Sequence, residues 1–105
     1  MIGEAGSYVS GNWFVREGSE NLFVSRWTEF LEWSREVEQG FRQALLIRDS
    51  ATPRHFISVV QWENAESQEA WRAQPEWPDR FQTCRELCDR FEGPGTFSLA
   101  ADVRS

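Results

Sequence analysis

Apolar and polar residues alternate along this chain with two different periods, and the changes of period mark the predicted strands and helices. Residues 8–17, YVSGNWFVRE, are rich in aromatic and β-branched side chains and predict a first strand. Apolar residues then recur at steps of four and three over residues 20–38, which predicts an amphipathic helix. Two further runs, residues 41–49 and 55–62, predict the arms of a β-hairpin joined by the loop SATPR.

The rest of the chain predicts a helix in two pieces and a final strand. Asn64 is a suitable N-cap for a short helix that continues to Gln74, where Pro75 and Pro78 interrupt it. The sequence EGPG is interpreted as a turn that ends the second piece, and residues 96–103 alternate as a last strand. The second piece itself is predicted from apolar residues at steps of four and three: Trp77, Phe81, Cys84, Cys88 and Phe91.

The resulting order, β–α–β–β–α–β, predicts the α+β, ferredoxin-like architecture. This architecture has a four-stranded antiparallel sheet with both helices packed on one face. We expect residues 1–105 to form one domain, with residues 1–7 as a loose N-terminal segment.

Both faces of the predicted sheet carry apolar side chains, although the helices can cover only one face. In residues 55–62 one face holds Phe56, Val60 and Trp62, and the other holds Ile57 and Val59. A one-sided antiparallel sheet normally has a polar outer face, so this pattern predicts a homodimer that pairs sheet against sheet. The preceding strand is predicted to divide likewise, with Ala44 and Leu46 opposite a second set: Phe41, Leu45 and Ile47.

The net charge of the chain argues against some classes of binding partner. Lys and Arg number 11 against 17 Asp and Glu, which gives a net charge of −6 over 105 residues. Nucleic acids and anionic membranes are bound through basic surfaces, so neither is an expected partner. The N-terminus has no basic segment before an apolar run, and no run approaches the roughly 20 apolar residues of a membrane span, so we expect a cytoplasmic protein.

Cys84 and Cys88 are predicted to lie on one face of the second helical piece as small buried side chains. Helix geometry does not favour a disulfide at this spacing. The single histidine, His55, is distant in sequence, so we expect no metal site at the cysteines.

Two stretches of the chain resemble the antibiotic biosynthesis monooxygenase family, whose members are dimeric α+β barrel proteins. They are YVSGNWFVREGSENLFVSRWTEFLEW near the start and ALLIRDSATPRHFISVVQWENAESQEAWRAQPEW in the middle. The resemblance implies a pocket between the sheet and the helices of each subunit. Members of this family oxygenate aromatic or polyketide-derived substrates with O₂ and without metal or flavin, while others degrade haem and others have no assigned substrate.

The resemblance also tests the haem branch of the family residue by residue. Asn12 matches an asparagine of the haem-degrading members, and Trp71 matches a tryptophan nine residues beyond Trp62. Those members place an iron-ligating histidine ten residues further on, where this chain has Phe81. Because phenylalanine cannot ligate iron, haem degradation is disfavoured, and no cofactor or metal is expected.

The candidate catalytic residues are the two polar side chains that the strands could present to such a pocket. His55 is a possible base, and the alternative is an exposed histidine beside a loop. Asn12 is a possible hydrogen-bond donor to a developing oxyanion, and the alternative is an outward-facing amide. Because Asn12 and Trp13 are neighbours on a strand, only one of them can face the pocket.

The candidate substrate-binding residues are aromatic: Trp62, Trp71, Trp77 and Phe81. They are predicted to stack a flat small molecule, and plain core packing is the alternative. Arg72 and Arg80 are candidates for holding an anionic substrate, with ion pairs to Glu76 or Asp79 as the alternative. The favoured function is a cofactor-independent monooxygenase, and the alternatives are a non-catalytic small-molecule binder and a dimer with a filled core.

Overall fold

Four strands and three helices make up the part of the chain that the computed structural model describes, residues 6–105. The helices follow the first and third strands, as the apolar periods predict. In chain order the elements are β1 (Ser7–Val15), α1 (Glu20–Val37), β2 (Phe41–Arg48), β3 (His55–Trp62), α2 (Ala65–Arg72), α3 (Trp77–Arg85) and β4 (Cys88–Ser98).

The strands form one antiparallel sheet in the order β2-β3-β1-β4, which confirms the predicted ferredoxin-like fold. The second helical segment is divided into α2 and α3, as Pro75 and Pro78 predict. Of the expected loose segment 1–7, residues 1–5 lie outside the described residues. Ser7 already belongs to β1, where it pairs with Trp62 and Ser98.

Side chains of β1 and β3 alternate strictly between two environments. On the inner face, the side that the helices cover, Trp13, Phe56 and Trp62 are buried, whereas the outer face is only partly buried. Helix α1 covers the inner face with a stripe of buried residues at helical spacing: Phe23, Trp27, Phe30, Leu31 and Trp33. Full burial of an apolar side chain contributes about 1.5–3 kcal/mol, so this layer is the main source of stability.

The boundary between α3 and β4 differs from the sequence prediction. Helix α3 ends at Arg85, and Cys88 and Phe91 belong to β4 instead of the helix. The stretch that contains Gly93 and Pro94 lies within β4 and is not a turn before it. Since β4 is an edge strand, a proline without a backbone N–H is tolerated there.

Cys84 and Cys88 consequently lie on different elements, although both are buried as predicted. Both are free thiols. Burial raises the pKa of Cys84 to about 12 and the pKa of Cys88 to about 11, so neither forms a thiolate readily.

Phe41 also differs from its predicted face. The pairing of β2 with β3 shifts between Phe41 and Gln43, and this irregularity turns Phe41 to the inner face. Its ring meets that of Trp62 edge-on, with 5.5 Å between centroids. Leu45 and Ile47 share one face, as the sequence predicts, and in the structure this is the outer face.

Gly11 is required by the close approach of Phe91 from β4. A Cβ atom on Gly11 would lie 2.6 Å from Cε1 of Phe91. The Phe91 ring has little freedom to move, because it packs against Trp13 at 4.4 Å and against Phe81 at 5.5 Å between centroids.

We expect Gly11→Ala to destabilise the protein by about 1–3 kcal/mol, because the added methyl group forces the packed Phe91 ring aside. Gly95→Ala is the matched control. Its Cβ would lie 2.7 Å from Phe97, but that side chain is 56% exposed in the single chain and is not packed against the core rings as Phe91 is. Urea unfolding of both variants measures the difference, and an equal loss in the two would contradict this account.

Candidate functional site

A narrow cavity of about 30 Å³ lies between the inner face of the sheet and the helices. Its walls are largely aromatic, with Trp71, Trp77 and Phe81 on the helical side and Trp13 and Phe91 on the sheet side. It has room for about one or two water molecules, whereas pockets for drug-sized ligands are commonly about 300–1,000 Å³. The rings therefore fill most of the space between the two layers. We call this space the inner cavity.

Two of the predicted substrate-binding residues form a stacked pair at the edge of the inner cavity. Trp77 and Phe81 lie one turn apart on α3, with ring centroids 4.9 Å apart and an interplanar angle of 9°. Both are only partly buried. Trp71 meets Trp77 edge-on at 5.7 Å and is itself buried.

Trp62, the remaining predicted aromatic site residue, lies behind Trp71 and does not line the inner cavity. The two rings are 4.9 Å apart between centroids, and Trp62 has no exposed surface. In this arrangement Trp62 supports Trp71 from the sheet side.

The polar groups around the inner cavity are mostly N–H donors. Two of the indoles have acceptors: Trp13 Nε1 donates to Ser58 Oγ at 3.0 Å, and Trp71 Nε1 donates to Ser34 Oγ at 2.7 Å. Two other lining residues, Trp77 through Nε1 and Arg72 through Nε, have buried donors without a hydrogen-bond partner in the described part of the chain.

Asn12 and His55 lie on the outer face of the sheet, away from the inner cavity. Trp13 takes the inner position of the Asn12–Trp13 pair. The imidazole Nε2 of His55 is 2.7 Å from Asn12 Oδ1. The structure thus brings the two predicted catalytic residues together, but on the opposite side of the sheet from the predicted aromatic site.

Asp49 completes this cluster, although nothing at its position in the sequence marks it as a candidate. Its Oδ2 is 3.0 Å from His55 Nδ1, and its Oδ1 accepts hydrogen bonds from the backbone N–H groups of Ala51 and Thr52. The hydrogen bond with His55, followed by those from the loop, lowers the pKa of Asp49. If the His55 ring is neutral and its Nδ1–H donates to Asp49, then Nε2 is an acceptor, and the amide NH₂ of Asn12 must face it in place of Oδ1. If the ring is an imidazolium, both nitrogens donate, one to Asp49 Oδ2 and the other to Asn12 Oδ1.

Phe14 and Arg90 extend the outer-face cluster across two strands. The Phe14 ring stacks on His55 at 4.6 Å with an interplanar angle of 4°, and the Arg90 guanidinium lies 3.9 Å from the Phe14 centroid. Asp49 follows β2 directly and His55 opens β3, so the hairpin register was the sequence signal that could have paired them.

Residues 6–105 contain neither a metal-ligand cluster nor a helix suited to span a membrane. No group of three or more His, Cys, Asp or Glu side chains there is arranged to hold a metal ion. No helix in the same range is long and apolar enough to cross a membrane.

Comparison with known proteins identifies the family. The family model for antibiotic biosynthesis monooxygenases matches residues 7–84, which is more than half of the chain. The chain therefore belongs to the antibiotic biosynthesis monooxygenase family. A search of curated protein sequences gave no significant match.

Solved structures share the fold over nearly the full length. A point mutant of SnoaB, a cofactor-independent oxygenase from Streptomyces nogalater, superposes with a TM-score of 0.84 at 17% identity, covering 97% of this chain and 99% of SnoaB. A candidate antibiotic biosynthesis monooxygenase from Bordetella bronchiseptica gives 0.75 at 16% identity, covering 94% and 99%. A Shewanella oneidensis protein gives 0.77 at 17%, covering 94% and 95%. At such identities the likeness shows the fold.

We expect Asp49→Asn to be less stable than the wild type at pH 7, because it removes the charge that His55 and the loop amides favour. A lowered pKa in the folded state contributes stability that is fully present above the ordinary aspartate pKa of about 4. That contribution is lost as the pH falls through the lowered value.

The stability difference between wild type and Asp49→Asn should therefore shrink on acidification below about pH 4. Urea unfolding at pH 7 and pH 3 measures it. Asp102→Asn, in the segment after β4, is the control and should show no comparable difference at either pH. A difference that grows on acidification would refute the assignment.

Proposed function

We propose that this protein is a cofactor-independent monooxygenase that oxidises a planar aromatic or polyketide-like small molecule with O₂ in the inner cavity. Family membership supports the proposal, as does the likeness to SnoaB, which is described as a cofactor-independent oxygenase. The observation that carries it is the cavity itself, whose aromatic walls contain N–H donors without partners at Trp77 and Arg72 in the described part of the chain.

The reaction requires a substrate that can lose a proton from carbon, such as an anthrone. Loss of that proton gives a carbanion that is stabilised as an enolate, and the enolate transfers electrons to O₂. A carbon–oxygen bond forms, and loss of water from the resulting hydroperoxide leaves a quinone. Anthrone and O₂ thus give anthraquinone and water. O₂ is the oxidant and the substrate is the sole reductant.

The protein contributes an apolar chamber and hydrogen-bond donors to this chemistry. Within residues 6–105, no carboxylate or imidazole lines the inner cavity, so the substrate would lose its proton to solvent before it enters and would bind as the anion. Preorganised donors that face developing negative charge lower the barrier, and they act more strongly where water is excluded. A substrate acidic enough to ionise near neutral pH suits such a site.

Substrate access requires movement of the partly buried rings. A tricyclic molecule is far larger than the free volume of about 30 Å³. Trp77 and Phe81 are the rings that we expect to move aside, because they form a stacked pair on α3 and are only partly buried. Outward rotation of this pair would open a flat slot against Trp71.

A non-catalytic small-molecule binder is the second candidate function. The lack of a general base among the described lining residues favours it, because a binder needs none. Haem degradation is not proposed, because Phe81 occupies the position at which the haem-degrading relatives have an iron-ligating histidine.

The proposal is tested by O₂ uptake with 1,8-dihydroxyanthrone after dialysis against a chelator, corrected for spontaneous oxidation. Val60→Ile places an extra methylene in the inner cavity and should lower the rate at least about tenfold, the usual scale for one methylene in a pocket. Val59→Ile is the matched control, because Val59 faces the outer side of the same strand.

Oxygen uptake no faster than the spontaneous rate would exclude the enzyme, and quenching of tryptophan fluorescence without uptake would then favour the binder. An equal effect of Val59→Ile and Val60→Ile would remove the inner cavity from the reaction. His55→Ala tests the hypothesis that the outer-face cluster supplies the base. A larger loss in His55→Ala than in Val60→Ile would assign the chemistry to that cluster instead.

We also propose that the protein is a homodimer paired through the outer face of the sheet. The helices leave this face uncovered, and it exposes large apolar side chains, with Leu45 51%, Ile47 57% and Phe97 56% accessible. Large apolar side chains exposed on both edge strands of an uncovered sheet face are typical of an interface. Pairing would also enclose the His55 cluster on both subunits.

Sedimentation velocity should give twice the mass of one chain for the wild type, and Ile47→Lys should shift the equilibrium to the monomer by placing a charge in the interface. Leu22→Lys is the control, since Leu22 is 47% exposed on α1, in the helical layer. A wild type that sediments as a monomer at micromolar concentration would exclude the dimer.

A further inference from the structure

We propose that Arg72 and Trp77 make the inner cavity selective for aromatic molecules that carry a negatively charged oxygen. This inference rests on the proposed use of the cavity as a binding site, and it names the class of ligand. The first observation is that both residues line the cavity and that each has a buried N–H group without a partner in the described part of the chain.

These donors belong to one small region of the cavity. The guanidinium carbon of Arg72 lies 5.8 Å from the centroid of the Trp77 ring. A buried donor without an acceptor is destabilising, so a ligand oxygen that accepts from either group recovers part of that energy. Arginine keeps its positive charge at physiological pH, so an anionic oxygen gains more than a neutral one.

The neighbouring carboxylates do not neutralise Arg72. Glu76 lies four residues along the chain, but its Oε1 accepts from Trp33 Nε1 at 3.2 Å and its Oε2 lies 3.9 Å from Arg80. Within residues 6–105 no ion pair to Arg72 is formed. Arg80 therefore forms the surface ion pair that was the alternative to holding an anionic substrate, whereas Arg72 does not.

Among the described residues, the buried side-chain polar groups that line the cavity without a partner are donors and not acceptors. The hydroxyl of Ser58, which also lines it, already accepts from Trp13. A cationic ligand would place its charge beside the Arg72 guanidinium without a compensating carboxylate. Since the whole chain carries a net charge of −6, attraction of an anion must come from this local charge and not from the overall field. The geometry therefore favours phenolates, enolates and aryl carboxylates.

Calorimetric titration with benzoate and benzamide tests the inference, because the two probes have nearly the same shape and differ in charge. We expect the wild type to bind benzoate about tenfold more tightly, which corresponds to one charge-assisted hydrogen bond. Arg72→Gln should remove the preference. Arg80→Gln, the same change at a residue that does not line the cavity, should keep it.

A measurement on the wild type keeps the test valid if Arg72→Gln does not fold. Benzoate should shift the indole N–H resonance of Trp77 in a ¹⁵N–¹H correlation spectrum more than benzamide does. Equal affinity for the two probes, no benzoate binding, or a preference that survives in Arg72→Gln would each overturn the inference.

Measuring O₂ uptake on the same variants separates the test of charge-selective binding from the test of the monooxygenase. A benzoate preference that depends on Arg72, without O₂ uptake, would keep the inference and reject the monooxygenase. Uptake that responds to Val60→Ile, with no charge preference in binding, would keep the monooxygenase and reject the inference.

Discussion

The strict alternation of side chains along β1 is the constraint on which the rest of this structure depends. β1 pairs with both β3 and β4, so its inner positions face the helices and its outer positions face away across the middle of the sheet. One step along this strand separates Trp13, which packs among the rings of the core, from Asn12, which contacts His55. The two candidate kinds of chemistry, aromatic binding and imidazole acid–base chemistry, are thereby placed on opposite faces.

Tight packing within the inner layer determines how the cavity can be used. Rings from the three helices and all four strands meet there, and several of their buried polar groups have specific partners, such as Ser34 for Trp71. A cavity of this kind discriminates by shape only after its partly buried rings have moved. In the proposed use of the cavity, the unpartnered donors of Trp77 and Arg72 would decide which atoms of a ligand are stabilised. On that proposal, the packing that makes the site nearly closed would also give it a preferred ligand charge.

The element order and the two faces of β3 follow from the sequence, because periods of two and 3.6 are strong signals over long segments. The α3–β4 boundary does not, since Cys84, Cys88 and Phe91 fit a helical spacing equally well and an edge strand accepts Pro94. Phe41 was assigned to the wrong face because a local shift in pairing leaves no mark on apolar spacing. The geometry of the candidate site follows only in part: the sequence allowed only one of Asn12 and Trp13 to face the pocket without saying which, and it did not single out Asp49 as the partner of His55.

The outer-face cluster has a different physical character from the inner cavity. His55 is held from both ring nitrogens, by Asp49 and Asn12, and its face is covered by Phe14. A ring with both nitrogens engaged has no free atom with which to accept a proton from a substrate, so this arrangement favours orientation over catalysis. It ties the start of β3 to the loop after β2 and to the central strand. Order in that hairpin fixes the register of β3, and β3 in turn presents Val60 and Ser58 to the inner cavity.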